Sequence, residues 1–387
     1  MFSALRFAQK LLRRAPSPAR QNLERLTGPH VLDSSLKYEE EKLEWYTPET
    51  FYPVRIWEVF NRRYQVVGKL GYGAYSTVWL CRDLQERDVY GQMNSITTSH
   101  AGAKYVRMLL DSFDITTATG SHVCMVHKPL GLRISDFQAL IPGGKLPQNI
   151  LKLTLKHILL ALEFLHSECH LAHTEIQAKN ILMGIDDENV LTEFEEAEVR
   201  DPSPCKVDGD RVIYRSRRTR VRGSVGRPVL CDFGEARMGD GKFTEDIQPF
   251  LYRAPEVILR KPWDKKLDIW NMGVLIWDLS QSKHLFDARY ANNETTNTVH
   301  LAEMIALLGS PPKLFLEGSP IARNYFDNSG HWIKNVKIPS NSLEEIEENL
   351  KGEEKALFLQ FMRKMLRWVP EDRMSAFDLL DDPWLNS

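Results

Sequence analysis

The sequence predicts an α+β chain of two lobes, a small β-rich lobe followed by a large helical one. Its 387 residues exceed what one small core organises and suit two lobes sharing a cleft. Tyr64 to Leu70 and Thr77 to Arg82 are β-branched runs joined by a glycine turn, a hairpin pattern, and Val123 to His127 is a third short apolar run. From Ile150 onward the period changes to that of amphipathic helices, and strands first with helices afterwards is the order of an α+β architecture.

The elements follow in order. Residues 1–37 are a basic N-terminal segment, and 38–63, rich in Trp45, Tyr46, Phe51, Tyr52 and Trp57, read as a strap packed on a domain. Residues 64–130 form the small lobe and 131–387 the large one, with an insertion at about 186–227. Leu151, Leu155, Ile158, Leu159, Leu162 and Leu165 place a long amphipathic helix over Ile150 to Cys169. Leu267 to Leu279 is apolar nearly all round, as a helix at a domain centre must be. His300 to Leu308 is a helix stopped by Gly309, Leu357 to Trp368 is another, and Ser375 to Asp378 opens the last as a capping-box variant.

Composition excludes several classes. A net charge of -2 gives no global attraction to nucleic acid or anionic membrane. The five cysteines are scattered without zinc spacing and read as free thiols of a reducing compartment. The Ile269 to Leu279 run is too short and too interrupted to cross a bilayer. Up to Asn22 there is no acid, and Arg6, Lys10, Arg13 and Arg14 share a helical face opposite Leu5, Ala8 and Leu12. That pattern describes a mitochondrial presequence, with a basic tail outside the domain as the other reading.

The chemistry lies in motifs whose order matters more than any one of them. Leu70-Gly-Tyr-Gly-Ala-Tyr-Ser-Thr-Val78 occupies the hairpin turn, where glycines let backbone amides approach phosphate oxygens; alone it is also an ordinary tight turn. His173-Thr-Glu-Ile-Gln-Ala-Lys-Asn180 follows the long helix. Cys231-Asp-Phe-Gly234, Ala254-Pro-Glu256, Asp268-Ile-Trp-Asn-Met-Gly273 and Arg373 come after it. Glycine loop, catalytic loop with trailing Asn, D-F-G and A-P-E in this order are the protein-kinase signature, and the chain resembles a protein kinase from Tyr64 onward. The expected fold is therefore the bilobal protein-kinase fold.

The Tyr-x-Val-x-x-Lys-Leu-Gly run, His122 to Val126, Thr244 to Gln248 before Tyr252-Arg253, Ser76 in place of a third glycine and the long insertion between Asn180 and Asp232 resemble SR-protein kinases of the fungal type. The resemblance implies a serine/threonine kinase using ATP and Mg2+. It places Asn180 and Asp232 on the metal, Gly71, Gly73 and Ser76 over the phosphates, and Leu70 among the nucleotide-binding residues. Val78 and Leu182 would lie around the adenine, with the backbone at Lys128 and Leu130 as hinge. Glu256 and Arg373 would form a buried bridge, and Asp268 would bond the catalytic-loop backbone. It further implies a monomer acting on protein, with Arg/Ser-rich sequences as the family's substrates, no direct nucleic-acid contact, and a place in cytoplasm or nucleus.

The pattern breaks at three points. No lysine occurs from Cys81 to Gly102, so the strand-3 lysine is absent. Glu86, which resembles the helix C glutamate, follows Val78 too closely for a strand, a turn and half a helix between them. The clean break at Leu84–Gln85 also reads as a dropped exon. The catalytic aspartate is Glu175, one methylene longer, and a misplacement of about 1 Å costs on the order of 10²-fold in rate. The lysine that would neutralise the transferred phosphate is Gln177, with Lys179 expected to point elsewhere. The positions of the arginine-docking carboxylates hold Val299 and Ala306. The insertion runs acidic from Asp186 to Asp201 and then basic through Arg211, Arg215, Arg217, Arg218, Arg220, Arg222 and Arg227; a solvated excursion is the plain reading, an internal pseudosubstrate the sharper one. Two functions stay open at this point: an impaired serine/threonine kinase, and a pseudokinase scaffold that retains nucleotide.

Overall fold

A computed structural model describes residues 29–84, 98–117, 120–187, 189–219, 225–289 and 295–387. The basic N terminus, Glu86, Arg220 and Arg222 lie outside the described residues. The chain divides into two compact units. One comprises Met1–Thr97, Met108–Gly131 and Gly184–Gly226; the other comprises Thr98–Arg107, Leu132–Met183 and Arg227–Ser387.

The first unit is built on an antiparallel sheet of β1 (Val59–Phe60), β2 (Tyr64–Tyr72) and β3 (Thr77–Asp83), in that order. The register runs from Tyr64 opposite Asp83 to Tyr72 opposite Thr77, with irregularities at Val66/Gly68 and Lys69/Gly71. A second ladder pairs β4 (Leu109–Thr117) with β5 (Gly120–His127), Leu109 opposite His127. The two ladders are separate sheets, and among the described residues no strand joins β3 to β5. Arg63 pairs with Asp83 at 2.6 Å and with Asp111 at 3.4 Å, and Tyr64 stacks on Phe113, which ties one ladder to the other through side chains instead of a strand.

The insertion is a structural part of this unit, not a solvated excursion. Its helix Asn189–Arg200 lays Leu191 and Phe194 against Val67 and Leu80, with Leu70 and Ile185 packed alongside. Gly68 is what allows this approach: a Cβ there would stand 2.8 Å from the Phe194 ring. Arg82 of β3 pairs with Glu195 of the same helix. The insertion then forms a hairpin, Cys205–Asp208 against Arg211–Tyr214, whose first strand bridges Val31 in parallel. Part of the acidic-then-basic charge pattern is thus spent on fold contacts: Glu195, Glu198, Arg211 and Arg217 each have a partner within the unit.

The strap meets the same hairpin. Its short turn Glu39–Lys42 presents three consecutive carboxylates. Glu40 pairs with Lys69 of β2, whose side chain is fully buried. Glu41 pairs with Lys206 at 2.7 Å, and Glu39 accepts the Ser216 hydroxyl. Arg211 donates to the carbonyls of Pro48 and Phe51.

The second unit surrounds the helix Lys266–Gln281, buried along nearly its whole length, with the amphipathic helix Gln148–Ser167 beside it. Gly273 exists for close packing: a Cβ there would lie 2.8 Å from Leu366. Arg373 and Glu256 form a doubly hydrogen-bonded pair at 2.7 and 2.6 Å, both side chains at most 1% exposed. The helix expected from His300 begins at Asn297, with Thr296 accepting from Val299 N as its cap. The capping box at Ser375 and Asp378 forms, but its helix ends at Leu380, and a further helix, Pro383–Asn386, follows.

Three measurements test this packing. Phe194→Ala should cost about 3–4 kcal/mol in urea denaturation, because the aromatic ring fills the groove over Gly68. Arg373→Met should cost about 3–5 kcal/mol, since it leaves the Glu256 carboxylate buried without its partner. The third concerns His300, fully buried against Phe250 and Phe286 with neither ring nitrogen hydrogen-bonded. Burial, reinforced by Arg253, pushes its pKa down to about 3 from 6.5. The unfolded chain therefore binds the proton first. Stability from this group is complete above pH 6.5 and is lost as pH falls toward 3. Over that window it contributes a slope of about 1.4 kcal/mol per pH unit, which His300→Phe should remove from a pH series of denaturation curves.

Candidate active site

The catalytic-loop motif lies in the second unit and is held by one carboxylate. Asp268 enters from the first turn of the central helix and is fully buried. It accepts from the backbone N–H of His173 at 2.8 Å and of Thr174 at 2.7 Å, and contacts His166 Nε2 at 2.8 Å. Thr174 is thereby fixed in the left-handed region at φ 72, and its hydroxyl donates to the carbonyl of Glu235 at 2.9 Å. The His173 ring stands 3.1 Å from the Cys231 carbonyl through Nε2 and beside the Phe233 ring. Glu175 N–H donates to His173 Nδ1 at 3.3 Å, which places the proton of the ring on Nε2. Burial holds the pKa of this imidazole below its usual value, so it serves as a neutral connector.

Glu175 is gripped from two sides. Gln177 Nε2 donates to its Oε1 at 2.6 Å, and Lys179 Nζ lies 3.0 Å from the same oxygen. Lys179 thus points at the carboxylate, contrary to the sequence expectation. The short turn Ala178–Asn180 curls the chain back and brings the ammonium over the loop. Asn180 is buried, donates through Nδ2 to the Glu175 carbonyl at 2.9 Å, and accepts Cys231 N–H on its own carbonyl at 2.8 Å. Asp232 follows in the left-handed region at φ 68.

The donor chemistry of Asn180 and Asp232 fits magnesium. With Nδ2 committed to the loop, the remaining Asn180 side-chain atom is a carbonyl oxygen, and Asp232 offers a carboxylate. Two hard oxygen ligands, completed by phosphate and water, suit Mg2+ better than an all-protein cage. Among the described residues no group of three or more His, Cys, Asp or Glu side chains could hold a metal alone. Leu182 is partly exposed on the strand Ile181–Ile185, bridged to Arg133.

The other expected positions belong to the first unit. Gly71 lies near the end of β2 opposite Val78, and Gly73 lies in the β2–β3 turn, where its N–H donates to the Ser76 carbonyl at 2.8 Å. A Cβ at Gly71 would meet nothing within 4 Å, and one at Gly73 only the Ser76 hydroxyl, so space lies open around both. Tyr75 at the tip is 77% exposed, and Trp45 of the strap donates to the Ala74 carbonyl at 3.1 Å. Val78 is exposed, whereas Leu70 packs on the insertion helix. Lys128 and Leu130 follow β5 without regular structure.

Sequence reasoning missed Lys69. A single lysine in a β-branched strand reads as a solvent-facing position, but the bulge before Gly71 and the strap over it bury the ammonium against Glu40. The acidic triplet Glu39–Glu41 was the available signal.

Comparison with known proteins shows the family. A protein kinase domain is matched over residues 221–385. A serine/threonine protein kinase of Aspergillus fumigatus is 44% identical over 397 residues, covering 97% of each chain. The serine/threonine-protein kinase SRPK of Physarum polycephalum is 28% identical over 391 residues, covering 90% of this chain and 91% of its own. SRSF protein kinase 3 of Homo sapiens is 23% identical over 528 residues, covering 92% and 93%. A β-rich N-terminal region, a helical C-terminal region and these relatives together make this chain a eukaryotic serine/threonine protein kinase of the SR-protein-kinase-like group.

Proposed function

We propose that this chain transfers the γ-phosphoryl group of ATP to serine or threonine of a protein substrate, with its own turnover impaired. The supporting observation is the pair of contacts on Glu175, at 2.6 Å from Gln177 and 3.0 Å from Lys179. A carboxylate so oriented can accept the proton of an incoming hydroxyl. Its longer stem displaces the oxygens relative to an aspartate anchored at the same backbone, which is the larger part of the impairment.

Lys179 supplies a positive charge that Gln177 cannot. It reaches the loop from a side chain 53% exposed, so solvent screens it more than a buried lysine would be screened. No lysine occurs from Cys81 to Gly102, so the family's strand-3 lysine has no counterpart in this stretch. When bound, Mg2+ would neutralise charge on the bridging phosphates, and Asn180 and Asp232 are the residues that would hold it. Gly71, Gly73 and Ser76 would cover the phosphates, with Leu70, Val78 and Leu182 around the base and the backbone at Lys128 and Leu130 as hinge.

The substrate reading is coarser. The helix Asn297–Leu308 carries Val299 and Ala306 half-buried, and its one acid, Glu303, accepts from the N–H groups of Asp287 and Ala288. That carboxylate is engaged in the fold, so arginine-rich peptides find little charge on this helix. The pseudokinase scaffold remains the second reading, and the observation in its favour is the divided N-terminal sheet.

Two experiments separate the readings. Mg·ATP should raise the melting temperature of the chain, and Asp232→Ala should abolish the increase. Slow phosphate incorporation into an arginine–serine peptide should accompany it; none, even with Glu175→Asp, would leave the scaffold. If stem length limits the rate, Glu175→Asp should accelerate incorporation by roughly 10-fold or more. Lys179→Ala should slow it by about 10-fold in the parent chain and by less once Gln177→Lys restores the charge.

A further inference from the structure

We propose that Ser216 is a phosphorylation site, and that a phosphate there drives the Glu39–Lys42 turn off strand β2. Ser216 lies between Arg215 and Arg217-Arg218, in the stretch 215–219 that has no regular secondary structure. It is half-buried, and its hydroxyl donates to the Glu39 carboxylate. An arginine-flanked serine in irregular backbone is a sequence that an arginine-directed serine kinase can engage. In the transfer, Ser216 Oγ forms a bond to the γ-phosphorus of ATP as the bond to the ADP oxygen breaks, and the hydroxyl proton leaves to solvent.

Modification reverses the sign of the contact. The hydroxyl donor becomes an acceptor carrying about −1.5 to −2 charges, placed against Glu39. Glu40 follows Glu39 in the same turn, and Glu198 pairs with Arg217, the residue after Ser216. The nearby cations already hold carboxylates: Lys69 pairs with Glu40 and lies 3.9 Å from Glu39, Lys206 pairs with Glu41 at 2.7 Å, and Arg217 with Glu198 at 2.6 Å. Arg215 and Arg218 are exposed on the same stretch and offer the phosphate an alternative partner on the solvent side. Glu39 is itself held at φ 52, a left-handed conformation that its contacts must sustain and that release would relieve.

The effect reaches the glycine loop. The turn rests on Lys69, whose backbone carbonyl also accepts Arg217 N–H at 2.8 Å and which directly precedes Leu70 and Gly71. Detaching the turn removes the Glu39 and Glu40 carboxylates from Lys69, on the strand that leads into the loop. The inference does not depend on this chain's own turnover, because the donor is ATP and the catalyst is any arginine-directed kinase.

The test treats the full chain with Mg·ATP alone and, separately, with a purified arginine-directed kinase added, then maps phosphate by mass spectrometry. Phosphate on Ser216 in the first arm identifies this chain as the source, and in the second arm only, another kinase. Hydrogen exchange then reads the turn, where Glu41 and Leu43 N–H groups donate to the Tyr38 and Glu40 carbonyls at 3.0 Å. In the phosphorylated chain these amides should exchange at least about 10-fold faster. Ser216→Ala, which only deletes a hydrogen bond, should stay within about 3-fold of the parent, and Glu39→Gln should reduce the effect of the phosphate. Phosphate absent from Ser216 in both arms, exchange unchanged by it, or an equal effect from Ser216→Ala would overturn the proposal.

Discussion

A buried carboxylate with no net freedom to move organises the chemistry of this kinase. Asp268 is presented by a helix packed on all sides, and it grips two successive backbone amides of the catalytic loop. The left-handed Thr174, the neutral His173 bridge to Cys231 and the position of Glu175 all follow from that anchor. Because the anchor acts on backbone, it tolerates changes in the side chains that the loop displays. Glu175 and Gln177 can stand in the loop while its backbone keeps its path.

In the first unit the dependence runs the other way, from side chains to backbone. A continuous sheet would share hydrogen bonds from strand to strand, but among the described residues the two ladders are separate. Packing and ion pairs take over the joining: Phe194 over Gly68, Arg82 with Glu195, Arg63 between Asp83 and Asp111, and the Glu40–Lys69 pair. Buried ion pairs of this kind are costly to break one partner at a time, since the survivor loses water without gaining a substitute. Beside these pairs, a hydrophobic cluster is built around Val67, Leu80, Leu191 and Phe194.

What the sequence disclosed was what is local. Hairpin strands, the amphipathic helix before the catalytic loop and the buried central helix each carry their periodicity within about twenty residues, and the structure follows them to within a few positions. The ordered motifs made the family legible for the same reason. Lys179 escaped because spacing rules for ion pairs hold on helices, whereas here a short turn within a loop creates the contact. The insertion escaped because its partners lie far away along the chain: Lys206 meets Glu41, and Cys205 meets Val31. Its charges have an ordinary surface composition, and nothing in composition distinguishes a pair buried by tertiary contact from one in water.

The discontinuity of the first unit sets an order of events during synthesis. Its strap and sheet leave the ribosome early, but the residues that complete it extend to Gly226. Until then β2 lacks the helix that covers Gly68, and Glu41 lacks Lys206. The strap must wait for the hairpin at Cys205–Tyr214 across a closed loop of more than a hundred and fifty residues, a closure that costs entropy before any contact rewards it. Nascent chains of this kinase therefore expose strand edges until the insertion has emerged.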